Sequence, residues 1–136
     1  MIVSLVTSVT PQVETLWHHA HKDVLVKRGG VALLHTLCGE GDVGQLLVDV
    51  VSTSSLWIVS DKGQIKGLGL VRERVVEAIY VVHEFRRQKV ATKLMKSLLQ
   101  SDTPPIDAYA LPGDRAMKSL YESLGWKARL LTMRGA

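Results

Sequence analysis

Three cations and a histidine fall within seven residues, His83-Glu84-Phe85-Arg86-Arg87-Gln88-Lys89. Basic side chains this dense attract anions, and the flanking pattern decides whether they would hold one. Upstream, Val75, Val76, Ala78, Ile79, Tyr80, Val81 and Val82 make a nearly continuous β-branched and aromatic run, the pattern of a strand buried on both faces. Downstream, Val90, Leu94 and Leu98, backed by Ala91 and Met95, form one face of a helix, with Lys89, Lys93, Lys96 and Gln100 on the other. The first amides of a helix have no partner within it and lie at its positive end, so strand, basic turn and helix in this order build an anion site. The competing reading is a solvated helix start. Glu77 is the one interruption of the apolar run. An unpaired carboxylate there is costly, so Glu77 either handles a proton or pairs with Arg72 or Arg74. His18-x-x-His21 and His35-x-x-Cys38 have spacings seen among zinc ligands, but no fold context supports a site and no metal is expected. Trp17 and Trp57 read as core.

These groups need a scaffold, and the rest of the chain supplies its parts. Ile2 to Val6 reads as a first strand. Thr10 is a good N-cap and Pro11 suits a first helical turn; Val13, Leu16, Trp17 and Ala20 then give an apolar stripe through a helix ending near Gly29-Gly30. Val31 to Leu37 is a short second helical piece. Gly39-Glu40-Gly41-Asp42 breaks it, and Val43 to Val51 is ambiguous, leaning to helix. Leu56 to Val59 is a strand, Asp61-Lys62-Gly63 a turn, and Gln64 to Val71 the returning strand, with Gly67 and Gly69 leaving little side chain on one face. Arg72-Glu73-Arg74 turns into the central run. After its helix, Thr103-Pro104-Pro105 forces a loop and Ile106 to Leu111 reads as a fifth strand. Asp114 can cap a helix that Gly125 stops, and Trp126 to Met133 reads as a last strand. The order is β-α-α-β-β-β-α-β-α-β, one domain over residues 1–136.

The bulk properties set bounds. A chain of 136 residues with 46% hydrophobic content can build one real core. A net charge of +4 is compatible with an acidic partner, such as a phosphorylated cofactor, and equally with a solubilising surface. Aromatic residues make up only 5%, and no basic–aromatic interleaving is present, so nucleic acid is not expected as a partner. One cysteine, Cys38, excludes an internal disulfide and suits a reducing compartment. No apolar run approaches the ~20 residues of a membrane span, and the start lacks a cationic leader. A cytoplasmic protein without membrane contact is the expectation.

Two segments carry a resemblance. Arg86-Arg87-Gln88-Lys89-Val90-Ala91 resembles the R/Q-x-x-G-x-G/A signature of the GNAT family of N-acetyltransferases, with Lys89 in place of the first glycine, and Tyr80-Val81-Val82-His83-Glu84-Phe85 resembles the strand-to-loop passage before it. Asp114 to Trp126 is similar to that family's N-x-x-A-x-x-L-Y-x-x-x-G-F/W segment. Leu120, Tyr121, Gly125 and Trp126 fall in place, while Asp114 replaces the usual Asn and Met117 the usual Ala. The resemblance implies an α/β (α+β) fold: a mixed, mostly antiparallel central sheet of about six strands flanked by about four helices.

It also implies acetyl-CoA as co-substrate and an amine as acceptor. By this likeness the amides from Arg87 through Gln88, Lys89, Val90 and Ala91 to Thr92 would cradle the pyrophosphate, with Arg86 and Arg87 adding attraction. A side chain at position 89 either accepts left-handed backbone at a cost of about 1–2 kcal/mol or stays right-handed and aims its ammonium at a phosphate. The backbone of Tyr80, Val81 and Val82 would pair with the pantetheine arm, the Val81 amide facing the thioester oxygen. Tyr121 is the candidate general acid for the departing thiolate, against the alternative of a core tyrosine bonded to a carbonyl. Glu77 is the candidate base for the acceptor amine. The rival reading is the same fold holding CoA without turnover, as a sensor or protein-interaction module. Acceptor identity and oligomeric state, a homodimer included, are silent in the sequence.

Overall fold

A computed structural model describes residues 1–135. Five strands, β1 (Ile2–Leu5), β2 (Leu56–Asp61), β3 (Gln64–Arg72), β4 (Val75–Val81) and β5 (Asp107–Ala108), form one sheet in the order β1-β2-β3-β4-β5. The first four pair antiparallel; β5 lies parallel to β4. Helices α1 (Pro11–Leu25), α2 (Gly30–Cys38) and α3 (Val43–Ser52) precede β2, α4 (Val90–Leu99) follows β4, and α5 (Arg115–Ser123) follows β5. A short 3-10 turn, His83–Phe85, links β4 to the basic loop. No helix among the described residues is long and apolar enough to cross a membrane.

The sheet separates two cores. Val13, Leu16 and Trp17 of α1, Leu37 of α2 and Leu46, Leu47 and Val50 of α3 pack on Leu56, Leu68 and Leu70. On the opposite face Val90, Leu94, Met95 and Leu98 of α4 and Tyr121 of α5 pack on Val59 and Val76. Strand residues of both faces are therefore apolar, which is why the central runs show little alternation. The predicted caps form. Thr10 accepts from the Val13 amide with Pro11 in the first turn, and Asp114 accepts from Met117.

Three expectations need correction. The lean to helix over 43–51 is right, Asp42 capping that helix by accepting from Gln45 N at 2.7 Å, and it is the count that changes: among the described residues there are five α-helices rather than about four. The strand expected over 106–111 shrinks to Asp107–Ala108 between Pro105 and Pro112. The last expected strand, 126–133, is absent: so short a β5 offers no ladder to join, and Leu130, Leu131 and Met133 lie exposed. Among the described residues the sheet therefore has five strands, where about six were expected.

Two irregularities shape the centre of the sheet. Gly67 and Gly69 of β3 let α4 lie close: a Cβ on Gly69 would meet Leu94 Cδ2 at 2.5 Å, and one on Gly67 would meet Val90 Cγ1 at 3.0 Å. In the β3–β4 ladder, Leu70 faces Ala78 while Val71 faces Val76, so Glu77 is an extra residue, a β-bulge.

Candidate active site

The bulge decides which amides of β4 are free. The Val82 amide bonds to Lys66 O at 2.9 Å, so it points at β3. Alternation along the strand directs the Tyr80 and Ala78 amides the same way and the Ile79 and Val81 amides the other way, toward β5. There β5 pairs only with Val75 and Val76, and the Tyr109 amide, on Val76 O at 2.9 Å, is the last rung. Beyond it the two chains part. Ile79 and Val81 thus present an open strand edge, while Val82, expected to offer its amide to a ligand, has it committed to β3. Tyr80 faces the same way as Val82; Ile79 is the group the sequence did not single out.

Downstream of that edge the loop turns sharply. Arg87 (φ 65°) and Lys89 (φ 63°, ψ 28°) are both left-handed, which settles the alternative at position 89 in favour of left-handed backbone. Lys89 is the N-cap of α4 without a side-chain cap bond, and no hydrogen bond from the amides of residues 87–92 occurs among the described residues. Left-handed non-glycine residues also stand at Ser54, Lys62, Glu73 and Arg74, so it is the uncapped amides after Gln88, more than the strain, that could meet an anion. Arg87, Gln88 and Lys89 are exposed, Ala91 and Thr92 half-buried. The Val90 side chain is locked in the core, so only its amide is available.

Arg86 does not join that loop. Its Nε donates to Val81 O at 3.1 Å, its Nη2 reaches Asp23 Oδ1 of α1 at 3.4 Å, and its guanidinium lies 5.8 Å from the Tyr80 ring centre. The expected phosphate attraction from Arg86 is replaced by a clasp between α1 and the end of β4.

On the α1–α2 face, a cleft runs from Trp17 and Leu37 past β4 to Tyr109, Leu111 and Tyr121. Glu77 and Ile79 line it, so the open edge and the bulged carboxylate share one space. Tyr121 is buried, stacks on Trp126 with ring centres 5.8 Å apart, and makes no hydrogen bond through its hydroxyl among the described residues. Burial, reinforced by the Asp114 carboxylate, holds the phenol well above its usual pKa, so it stays protonated but is a weaker acid than a free phenol. Glu77 is buried and paired with Arg72: Nε donates to Oε1, and Nη2 donates to Oε2 at 3.3 Å and to Leu37 O at 3.1 Å. Of the two partners open to it in the sequence, Arg72 is the one used. Arg74 instead donates to Pro104 O.

Of the helix histidines, His21 lines the cleft, while His18 and His19 are exposed elsewhere on α1. Among the described residues no three His, Cys, Asp or Glu side chains gather as a metal would require. Burial raises the Cys38 pKa, Arg72 opposing and Asp42 adding to it, so the thiol is a poor nucleophile.

The open edge at Ile79 and the phenol of Tyr121 share one cleft, and the uncapped start of α4 follows that edge along the chain. The chain belongs to the acetyltransferase (GNAT) domain family, whose model matches residues 44–132. A search of curated proteins finds no match. Among solved structures the chain is similar to the aminoglycoside N-acetyltransferase AAC(6')-Iy in complex with CoA, at 13% identity and TM-score 0.59 over 99% of each chain. It is also similar to AAC(6')-Iy in complex with the bisubstrate analogue CoA-S-monomethyl-acetylneamine, at 15% identity and TM-score 0.60, over 99% of this chain and 97% of that one. At these identities the likeness is one of fold.

Proposed function

We propose that the protein is an acetyl-CoA-dependent N-acetyltransferase that works by direct attack of an amine on the thioester. The observation that carries this reading is one stretch of chain running from the open Ile79–Val81 edge to the uncapped α4 start, with Ile79 lining the cleft that Tyr121 also lines. Diphosphate oxygens fit the amides of residues 87–92, and a peptide-like arm fits the β4 edge as an added strand. The CoA complexes of the structural neighbours support the same ligand.

In the reaction the amine nitrogen bonds to the acetyl carbonyl carbon and the carbon–sulfur bond breaks. The carbonyl oxygen gains charge in the transition state, where the Ile79 or Val81 amide stabilises it. The surplus proton on nitrogen passes to the Glu77 carboxylate through water, with Arg72 holding that carboxylate in place. Tyr121 supplies a proton to the sulfur, so the products are the amide and the free thiol. The high pKa of the Cys38 thiol gives no support to an acyl-enzyme step.

One observation favours the rival reading of a CoA-binding module without turnover: both Glu77 oxygens are engaged by Arg72. Thiol release from acetyl-CoA over an amine panel, with CoA binding followed by thermal shift, separates the two. Turnover with any amine supports the transferase. Tight CoA binding with no turnover for any amine would leave the module.

A further inference from the structure

The acceptor side of the cleft has a charge pattern that selects among amines. Three carboxylates line it: Asp23 of α1, Glu77 of β4, and Asp114 at the start of α5. Each is already neutralised by a cation of the protein. Asp23 Oδ2 lies 3.0 Å from Lys27 Nζ, and its other oxygen 3.4 Å from Arg86. Asp114 Oδ2 lies 3.2 Å from the same Lys27 Nζ, while its Oδ1 caps α5 by accepting from Met117. Glu77 is held at two points by Arg72. Burial alone would lower the Lys27 pKa, but its bonds to Asp23 and Asp114 outweigh that and raise it, so the lysine stays charged in its place.

Between these pairs most of the wall is apolar, with Trp17, Leu33, Leu37, Leu46, Leu111 and Met117 facing the same space, while His21, Tyr80 and Tyr109 add polar atoms but no carboxylate. Even the polar edge of Trp17 is occupied, its indole N–H donating to Val43 O at 2.9 Å. A polycationic acceptor would have to seat its second and third ammonium groups against hydrocarbon, with no free carboxylate to meet them, and that desolvation is unfavourable. An apolar body carrying one amine meets matching surface instead, and its amine reaches the β4 edge in the neutral form that attacks.

We propose that the acceptor is a monoamine with an apolar or aromatic body, and that the Asp23–Lys27–Asp114 bridge excludes polycationic amines. The identity of this acceptor class rests on the cleft being the acceptor site of the proposed transferase, but its test is a binding measurement that needs no turnover. Calorimetric titration of the CoA-loaded protein with 2-phenylethylamine and with spermidine should show saturable binding of the first, at least about tenfold tighter than the second, a difference of about 1.4 kcal/mol. Equal or tighter binding of spermidine, or no saturable binding of 2-phenylethylamine, would overturn the inference. Lys27→Met frees Asp23 Oδ2 and Asp114 Oδ2, while Arg86 keeps the other Asp23 oxygen and the Met117 amide the other Asp114 oxygen, and should narrow or reverse that preference. Unchanged preference in a folded Lys27→Met protein would also overturn it, and should that variant fail to fold, Lys27→Gln serves the same comparison. Thiol release over the amine panel reads the transferase separately: 2-phenylethylamine bound, with no amine acetylated, would sink the enzyme while leaving the amine preference of the cleft standing.

Discussion

Lys89 adopts a backbone conformation, φ 63° and ψ 28°, that glycine reaches freely and lysine reaches at a cost of about 1–2 kcal/mol. Lys89→Gly removes that cost but gives the unfolded chain more freedom, worth about 0.5–1 kcal/mol in the other direction. The expected net is a gain of roughly 0.5–1 kcal/mol, visible as a rise of a few degrees in Tm, with CoA affinity retained. A large loss of CoA affinity would instead mean that the ammonium touches the cofactor. Tyr121→Phe keeps the ring against Trp126 and deletes the proton. Turnover should fall by about 10- to 100-fold, the low end for a general acid because a thiolate is a fair leaving group, while CoA binding stays unchanged. Equal turnover in the two proteins would take Tyr121 out of the mechanism. The basic turn between strand and helix was legible in residue type and spacing, whereas Tyr121 was singled out only through the family resemblance of its segment. The free Ile79 amide was not, since one extra residue at Glu77 sets which amides face the open side, and a bulge is a property of two strands in register. Nor was the turn of Arg86 toward Asp23, 63 residues away in the chain.

At the scale of elements, α4 is held against β3 by missing side chains and presents its start without a cap, whereas α1, α3 and α5 are each capped by a side chain. Gly69→Ala pushes a methyl into the buried Leu94 and should cost about 1–3 kcal/mol as overpacking, lowering Tm and weakening CoA binding together because the helix carrying the anion site moves. Preserved CoA affinity at lowered Tm would show that the loop, not the seating of α4, sets the site. Hydrogen exchange offers a second reading: CoA should slow exchange at Val90, Ala91 and Thr92 and leave the Asp42-capped start of α3 unchanged. The elements themselves were largely readable where local chemistry marks an end, as at Thr10-Pro11, Asp114 and Gly125. Val43–Ser52 read ambiguously because a short apolar run suits helix or strand alike until Asp42 is recognised as its cap. The 126–133 run misled for the opposite reason. Its residues suit a strand, but a strand needs a neighbour, and the two residues of β5 provide none.

For the molecule as a whole, the sheet divides two cores, and Tyr121 lies where the second core meets the cleft. Tyr121 is nearly inaccessible to water, and its ionised form is disfavoured first by burial and then by Asp114. In the unfolded chain the phenol ionises near its usual value of about 10. As pH rises through that value the unfolded state loses a proton that the folded state keeps, so folding stability must fall with pH. It is fully present below about pH 10, and each further unit removes up to about 1.4 kcal/mol for this one group. Lys27 acts with the same sign, since its raised folded pKa means that the native state also holds that proton longer, though its partial exposure makes its share smaller. Melting temperature followed from pH 8 to 11 should therefore hold level and then drop above about pH 10. Tyr121→Phe should drop less steeply, because a phenylalanine has no proton to release on unfolding. Parallel curves for the two proteins across that range would mean that the phenol is solvated in the native state, and its place as a protonated donor at the back of the cleft would be lost.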